Sequence, residues 1–126
     1  MAKRTLTLET VREMALALPD VQEGTSYGAP AWLVHGRMFA CEPSHRSAEP
    51  GSLVIRVDFD QREELLAAEP ETYYVTDHYV GYTSVLVRLS RVHPDSMRDL
   101  LRTACNFVSA ARQRNATARK RRLVAR

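Results

Sequence analysis

"AWLVHGRMFAC", from Ala31 to Cys41, sets two short apolar runs on either side of His35 and Gly36. Glycine accepts the positive φ that a two-residue hairpin turn needs, so the stretch predicts two antiparallel strands. Downstream, "SLVIRVDF" alternates as a third strand, with Leu53, Ile55 and Val57 on one face and Val54, Arg56 and Asp58 on the other. The link between them, "PSHRSAEPGS", is rich in Pro and Ser and reads as a surface loop. "TYYVT" and "SVLVRLS" supply two more strands joined through "DHYVGY", Tyr73 and Val75 sharing a face opposite Tyr74.

Helical periodicity flanks and interrupts these strands. In "TLETVREMALAL", Leu8, Val11, Met14, Ala15 and Leu18 make one apolar stripe, with Thr7 as cap and Pro19 and Asp20 as the stop. "EGTSYGAP" reads as a loop, Gly28 and Pro30 shaping the entry to the first strand. "DQREELLAAEP" predicts a short helix, with Asp60 and Glu63 at capping-box spacing. A last helix begins at Pro94 and buries Met97, Leu100, Leu101, Ala104, Phe107, Val108 and Ala111. The order is α-β-β-β-α-β-β-α. Short links between consecutive strands favour hairpins, giving an α+β fold of two layers with a five-stranded, mainly antiparallel sheet.

The 126 residues have room for one domain, placed at residues 1–111. Residues 112–126, "RQRNATARKRRLVAR", form a basic C-terminal tail with seven Arg or Lys and no acid. Without them, 11 of the 18 basic residues face 15 acidic ones, a net of −4. The basic balance of the chain therefore belongs to its tail. No apolar run approaches the roughly 20 residues needed to span a bilayer, and the N-terminus lacks the pattern of a secretory signal. The expected location is cytoplasmic, where Cys41 and Cys105 are expected as free thiols.

"LALPDVQEGTSYGAPAWLVHGRMFA", "LVIRVD", "EPETYYVTDHYVGYTSVLVRL" and "LLRTA" resemble, in that order, the MmcQ/YjbR family of small bacterial proteins, from about Thr7 to Val108. The resemblance implies the element order above and a two-layer arrangement like that of type III secretion chaperones. It departs at Thr83, where the family often has Pro, and at Cys105 and Asn106, where it usually has an aromatic. The family is often labelled DNA-binding by fold likeness, and fold does not fix function. The resemblance brings no reaction with it.

No nucleotide-binding loop is present in "EGTSYGAP". Cys41 and His45 lie four apart with no second pair to complete a zinc site. Cys41, His35 and Asp58 have the residue types of a nucleophilic site without its local signature. No catalytic residue, metal or cofactor is assigned. His78, Tyr79 and Tyr82 sit in a loop beside strand ends, where binding groups concentrate, although tyrosines must also fill part of a core poor in other aromatics. Arg56 and Arg88 are expected to face outward together, suited to a phosphate, a carboxylate or an acidic partner. Val54 and Leu86 share that face, which is equally suited to a dimer interface, so the chain is expected as a monomer or a weak homodimer. The tail, with Arg119, Lys120, Arg121 and Arg122, would attract DNA backbones without sequence readout. Two functions follow as expectations. One is a non-enzymatic protein that binds nucleic acid through backbone electrostatics. The other is a ligand- or protein-binding module built on the sheet face and the Tyr79–Tyr82 loop.

Overall fold

Ser84–Arg88 and Ser52–Arg56 pair antiparallel over five residues, and the remaining strands extend the sheet on either side of them. The computed structural model describes the backbone of residues 6–124 and the side chains of residues 6–111. Its elements are α1 (Leu8–Leu16), β1 (Val21–Ser26), β2 (Ala29–Val34), β3 (Arg37–Cys41), β4 (Ser52–Arg56), α2 (Phe59–Ala68), β5 (Tyr73–Tyr74), β6 (Ser84–Arg88) and α3 (Pro94–Val124). Six strands lie in the order β1-β2-β3-β4-β6-β5, and all neighbours are antiparallel.

The sixth strand is β1, which the sequence predicts as loop. Its residues "VQEGTS" are polar and half of them are exposed, because it is an edge strand paired on one side only. Gly24 stands where an added Cβ would meet Leu33 Cδ1 at 2.8 Å, so the gap in the apolar pattern is a close approach of β1 and β2. The turn between them is Tyr27 and Gly28, at φ 51° and 81°; His35 and Gly36 repeat this at 52° and 78° between β2 and β3. Both hairpins thus carry two residues of positive φ, the geometry that suits the twist of the strands.

One face of the sheet packs on the helices. Leu53, Ile55, Val57, Val85, Val87 and Leu89 bury there with Trp32, Phe39, Met97 and Leu101, as the alternation predicts. Thr7 caps α1 by accepting from Thr10 N at 3.1 Å. The cap of α2 is Asp58 rather than Asp60: its carboxylate accepts from Gln61 N at 2.7 Å, and Asp60 falls in the first turn. Strand β5 ends at Tyr74, so Val75 does not join Tyr73 in the helix-side core but packs on the opposite face. Helix α3 runs unbroken through residues 112–124, where good helix formers carry it past its buried face.

The opposite face is not the open, solvated surface expected of it. Ala31, Cys41, Val54, Tyr79 and Leu86 form a second buried cluster, covered by the segments 42–51 and 75–83. Val54 and Leu86 are 4% and 0% exposed, so the apolar patch offered as a dimer surface is filled by the chain's own loops. A bulge in β3 helps to build this layer. Trp32 pairs with Ala40 while Leu33 pairs with Met38, which leaves Phe39 as the extra residue. Phe39 and Ala40 both join the helix-side core, and Met38 and Cys41 both face the other way.

Candidate functional site

Between the covering loops and the β1–β2 turn the second face opens into a pocket of about 640 Å³. Cys41, Met38 and Val54 come to it from the sheet, His45 from the β3–β4 loop, and His78, Tyr79 and Tyr82 from the β5–β6 loop. Tyr27 closes one side from its turn, and Arg56 with Thr83 forms a polar end. The hairpin that bounds the cavity is thus β1–β2.

Rings make its walls. His45 and His78 stack face to face, centroids 3.6 Å apart and planes 4° from parallel. Tyr79 meets His78 edge-on at 4.8 Å, and Tyr82 lies 6.1 Å from the same imidazole. Tyr79 is buried, whereas Tyr82 is 60% and Tyr27 95% exposed. Of the predicted trio, then, His78, Tyr79 and Tyr82 do come together: one ring closes the second core and two remain available to solvent or a ligand. The Ser47 backbone N–H donates to His45 Nδ1 at 3.1 Å, which makes Nδ1 an acceptor and places the proton of the neutral ring on Nε2. Desolvation, then the charges of His78 and Arg46, hold the His45 pKa below its usual value.

Two anchors hold these loops. Ser47 Oγ and Thr76 Oγ1 share a hydrogen bond of 2.8 Å that ties the β3–β4 loop to the β5–β6 loop. The second is Arg62 of α2, which is not among the candidate residues of the sequence. It is 6% exposed and donates to the carbonyl oxygens of Val80 (3.1 Å), Tyr82 (3.0 Å) and Ser84 (3.3 Å), with Phe59 stacked at 4.7 Å. Its spacing contained the signal: Phe59, Arg62, Leu65 and Leu66 form one helical stripe in which Arg62 fills an apolar position.

The two arginines expected side by side are separated. Arg56 pairs across the sheet with Ser84 and Arg88 with Ser52, opposite ends of the β4–β6 ladder. Four residues of strand at about 3.3 Å each put them roughly 13 Å apart. Arg88 is already engaged: its Nε and Nη2 meet Glu49 at 3.1 and 2.6 Å, and Nη1 donates to the Glu71 carbonyl at 3.0 Å. The same guanidinium lies 4.2 Å over the Tyr74 ring. Arg56 instead donates from Nε and Nη2 to Thr83 O and Oγ1, each at 3.0 Å. Arg119, Lys120, Arg121 and Arg122 fall on α3, and their side chains lie outside the described residues.

Cys41 lines the pocket but is a poor nucleophile, its pKa pushed up to about 11 chiefly by burial. Cys105 sits across the sheet in the helix-side core, and both thiols are free. Among the described residues no helix is long and apolar enough to cross a membrane.

The family model described as YjbR matches residues 16–105, a span that contains every pocket-lining residue. None of the curated proteins matches the chain. Among solved structures, the crystal structure of a Deinococcus radiodurans protein with a DUF419 domain is similar, at a TM-score of 0.65 and 23% identity. The alignment covers 82% of this chain and 79% of that one, and at this identity the likeness is one of fold.

Proposed function

The chain belongs to the YjbR family, and from that premise and the pocket we propose that it is a small-molecule-binding module whose ligand sits on the second face of the sheet. The observation that carries this reading is the pocket itself: about 640 Å³, within the range of sites for drug-sized molecules, with an apolar floor of Met38 and Val54 and polar groups from histidine, serine, threonine and Arg56 around it. The buried cluster and the Arg62 and Ser47–Thr76 anchors hold its shape before a ligand arrives, which lowers the ordering cost of binding. Binding rather than turnover is favoured by the state of Cys41. With its pKa near 11, roughly one thiol in ten thousand is ionised at pH 7. His45, the neighbouring base, has its Nδ1 occupied by Ser47.

A screen of small molecules by thermal shift tests the reading, run on the full chain and on Ser44→Trp. Ser44 lies in the pocket lining on an exposed loop, so the indole fills the cavity without entering a core. Ligands of the pocket raise the melting temperature of the native chain and not of the variant. Compounds that stabilise both equally, or a screen in which nothing stabilises the native chain, would contradict it.

A further inference from the structure

Among the described residues, the pocket lining carries one permanent charge, Arg56, and no carboxylate. Glu42 and Asp77, each adjacent in sequence to a lining residue, are not part of it. Arg56 is partly buried, and among the described residues no acid pairs with it; its guanidinium lies 5.7 Å over the Phe107 ring, and its hydrogen bonds go from Nε and Nη2 to the neutral Thr83. Burial, then the nearby Arg37, work against the cation and lower its pKa. Arg88 shows the contrast on the same sheet, with a carboxylate at 2.6 Å. Among the described residues Arg62 lacks an acid too, but three carbonyls accept from it; Arg56 has Thr83 alone, and a bidentate carboxylate or phosphate is the group that fits a guanidinium fork.

Away from this end the pocket is lined by rings, the parallel His45–His78 pair with Tyr82 tilted 45° from it. Tyr82 lies 6.1 Å from His78 of the stacked His45–His78 pair and Tyr27 lines the pocket apart from it, both rings left largely in water. Exposed tyrosines of this kind offer broad apolar area with little side-chain entropy to lose on binding. Val54 and Met38 supply an apolar floor.

Resting on the reading of this pocket as a ligand site, we propose that the ligand is a flat aromatic or heteroaromatic molecule bearing one anionic group, its ring among Tyr27, Tyr82 and the His45–His78 pair and its anion on Arg56. The charge selects against neutral analogues and the ring selects against simple anions. Neither feature alone fills the site.

Calorimetric titration of the full chain with 2-naphthoate, its uncharged isostere 2-naphthamide, and acetate tests this assignment. The naphthoate is expected to bind at least about tenfold more tightly than the amide, a difference of about 1.4 kcal/mol. Acetate shows no binding in the same range. In Arg56→Gln the two naphthalene probes become equal, and in Ser44→Trp both are lost. The preference in the native chain needs no variant, so it stands even where Arg56→Gln folds poorly. Equal affinity of acid and amide in the native chain, both lost in Ser44→Trp, overturns the anionic class and leaves the pocket as a ligand site. Absence of binding by either naphthalene probe to millimolar concentration overturns both. Naphthoate binding that survives Ser44→Trp places the probe elsewhere and also overturns the assignment.

Discussion

Replacing Arg62 by Leu removes the side chain that holds the β5–β6 loop to α2. Three hydrogen bonds are lost, to the carbonyls of Val80, Tyr82 and Ser84. Bonds from a charged donor contribute about 1.5–3 kcal/mol each, so their sum reaches roughly 5–9 kcal/mol. Two effects reduce it. The Val80 and Tyr82 oxygens are only partly buried, and water can replace the lost donor there. The substitution also removes a charge buried without an acidic partner among the described residues, and with it the desolvation cost that the carbonyls now offset. What remains is the buried Ser84 carbonyl and the contact with the Phe59 ring, for a net loss of about 2–4 kcal/mol. With a urea slope near 2 kcal/mol/M, the unfolding midpoint falls by about 1–2 M. Arg62→Lys, which keeps the charge and loses the fork, falls in between. Amide exchange separates the loop from the rest: Tyr79 and Tyr82, whose N–H groups bond within the loop, exchange faster in Arg62→Leu even where the helix-side core stays protected. A midpoint shift equivalent to less than about 0.5 kcal/mol would show that the arginine merely occupies the stripe, and would refute this account of how the loop is held.

Three further outcomes are expected. The His45 pKa is depressed in the folded chain, so the unfolded chain takes up its proton first; this part of the stability is present above the ordinary histidine pKa of about 6.5 and is lost as pH falls from there toward the folded value. Imidazole NMR shifts checked against urea midpoints between pH 5 and 8 report it, and a His45 that titrates above 6.5 refutes it. Burial raises the pKa of both Cys41 and Cys105, so a thiol reagent at pH 7.5 should label neither until urea exposes them; rapid labelling of Cys41 in the native chain would contradict its placement in the second cluster. Binding of the full chain to a short labelled DNA duplex should be weak, steep in salt, and lost in a truncation ending at Ala111, since the seven basic residues of 112–126 carry the attraction and the remainder is net negative. A truncated domain that binds as well as the whole chain would reverse this.

The frame of the molecule was legible because its pattern is strong where burial is one-sided. Leu53, Ile55, Val57, Val85 and Val87 alternate with a period of two, and α1 and α3 keep a period near 3.6. The His35 and Gly36 turn could be read from the glycine that it requires. Strand β1 could not: a polar edge with a central glycine is specified by its partner β2, not by its own residues. The second core was hidden for a related reason. Val54 and Leu86 read as exposed because the loops that cover them are irregular, and irregular segments leave no periodicity. Arg56 and Arg88 share a face, as the alternation requires, yet pairing register decides their separation, and register is not written in either strand alone. The site was half legible. The tyrosine loop stood out by composition, whereas His45 and Tyr27, brought in by a loop and a turn, had nothing local to mark them.

The site is tested most directly by where a flat anion lands on the chain. Titration of 2-naphthoate into isotopically labelled full-length protein, followed in the amide and imidazole NMR spectra, locates it residue by residue. The account predicts shifts centred on Tyr27, Cys41, His45, Val54, His78 and Tyr82, with Met97 and Leu101 across the sheet undisturbed. Shifts confined to residues 112–126, or none at all at millimolar probe, would contradict it.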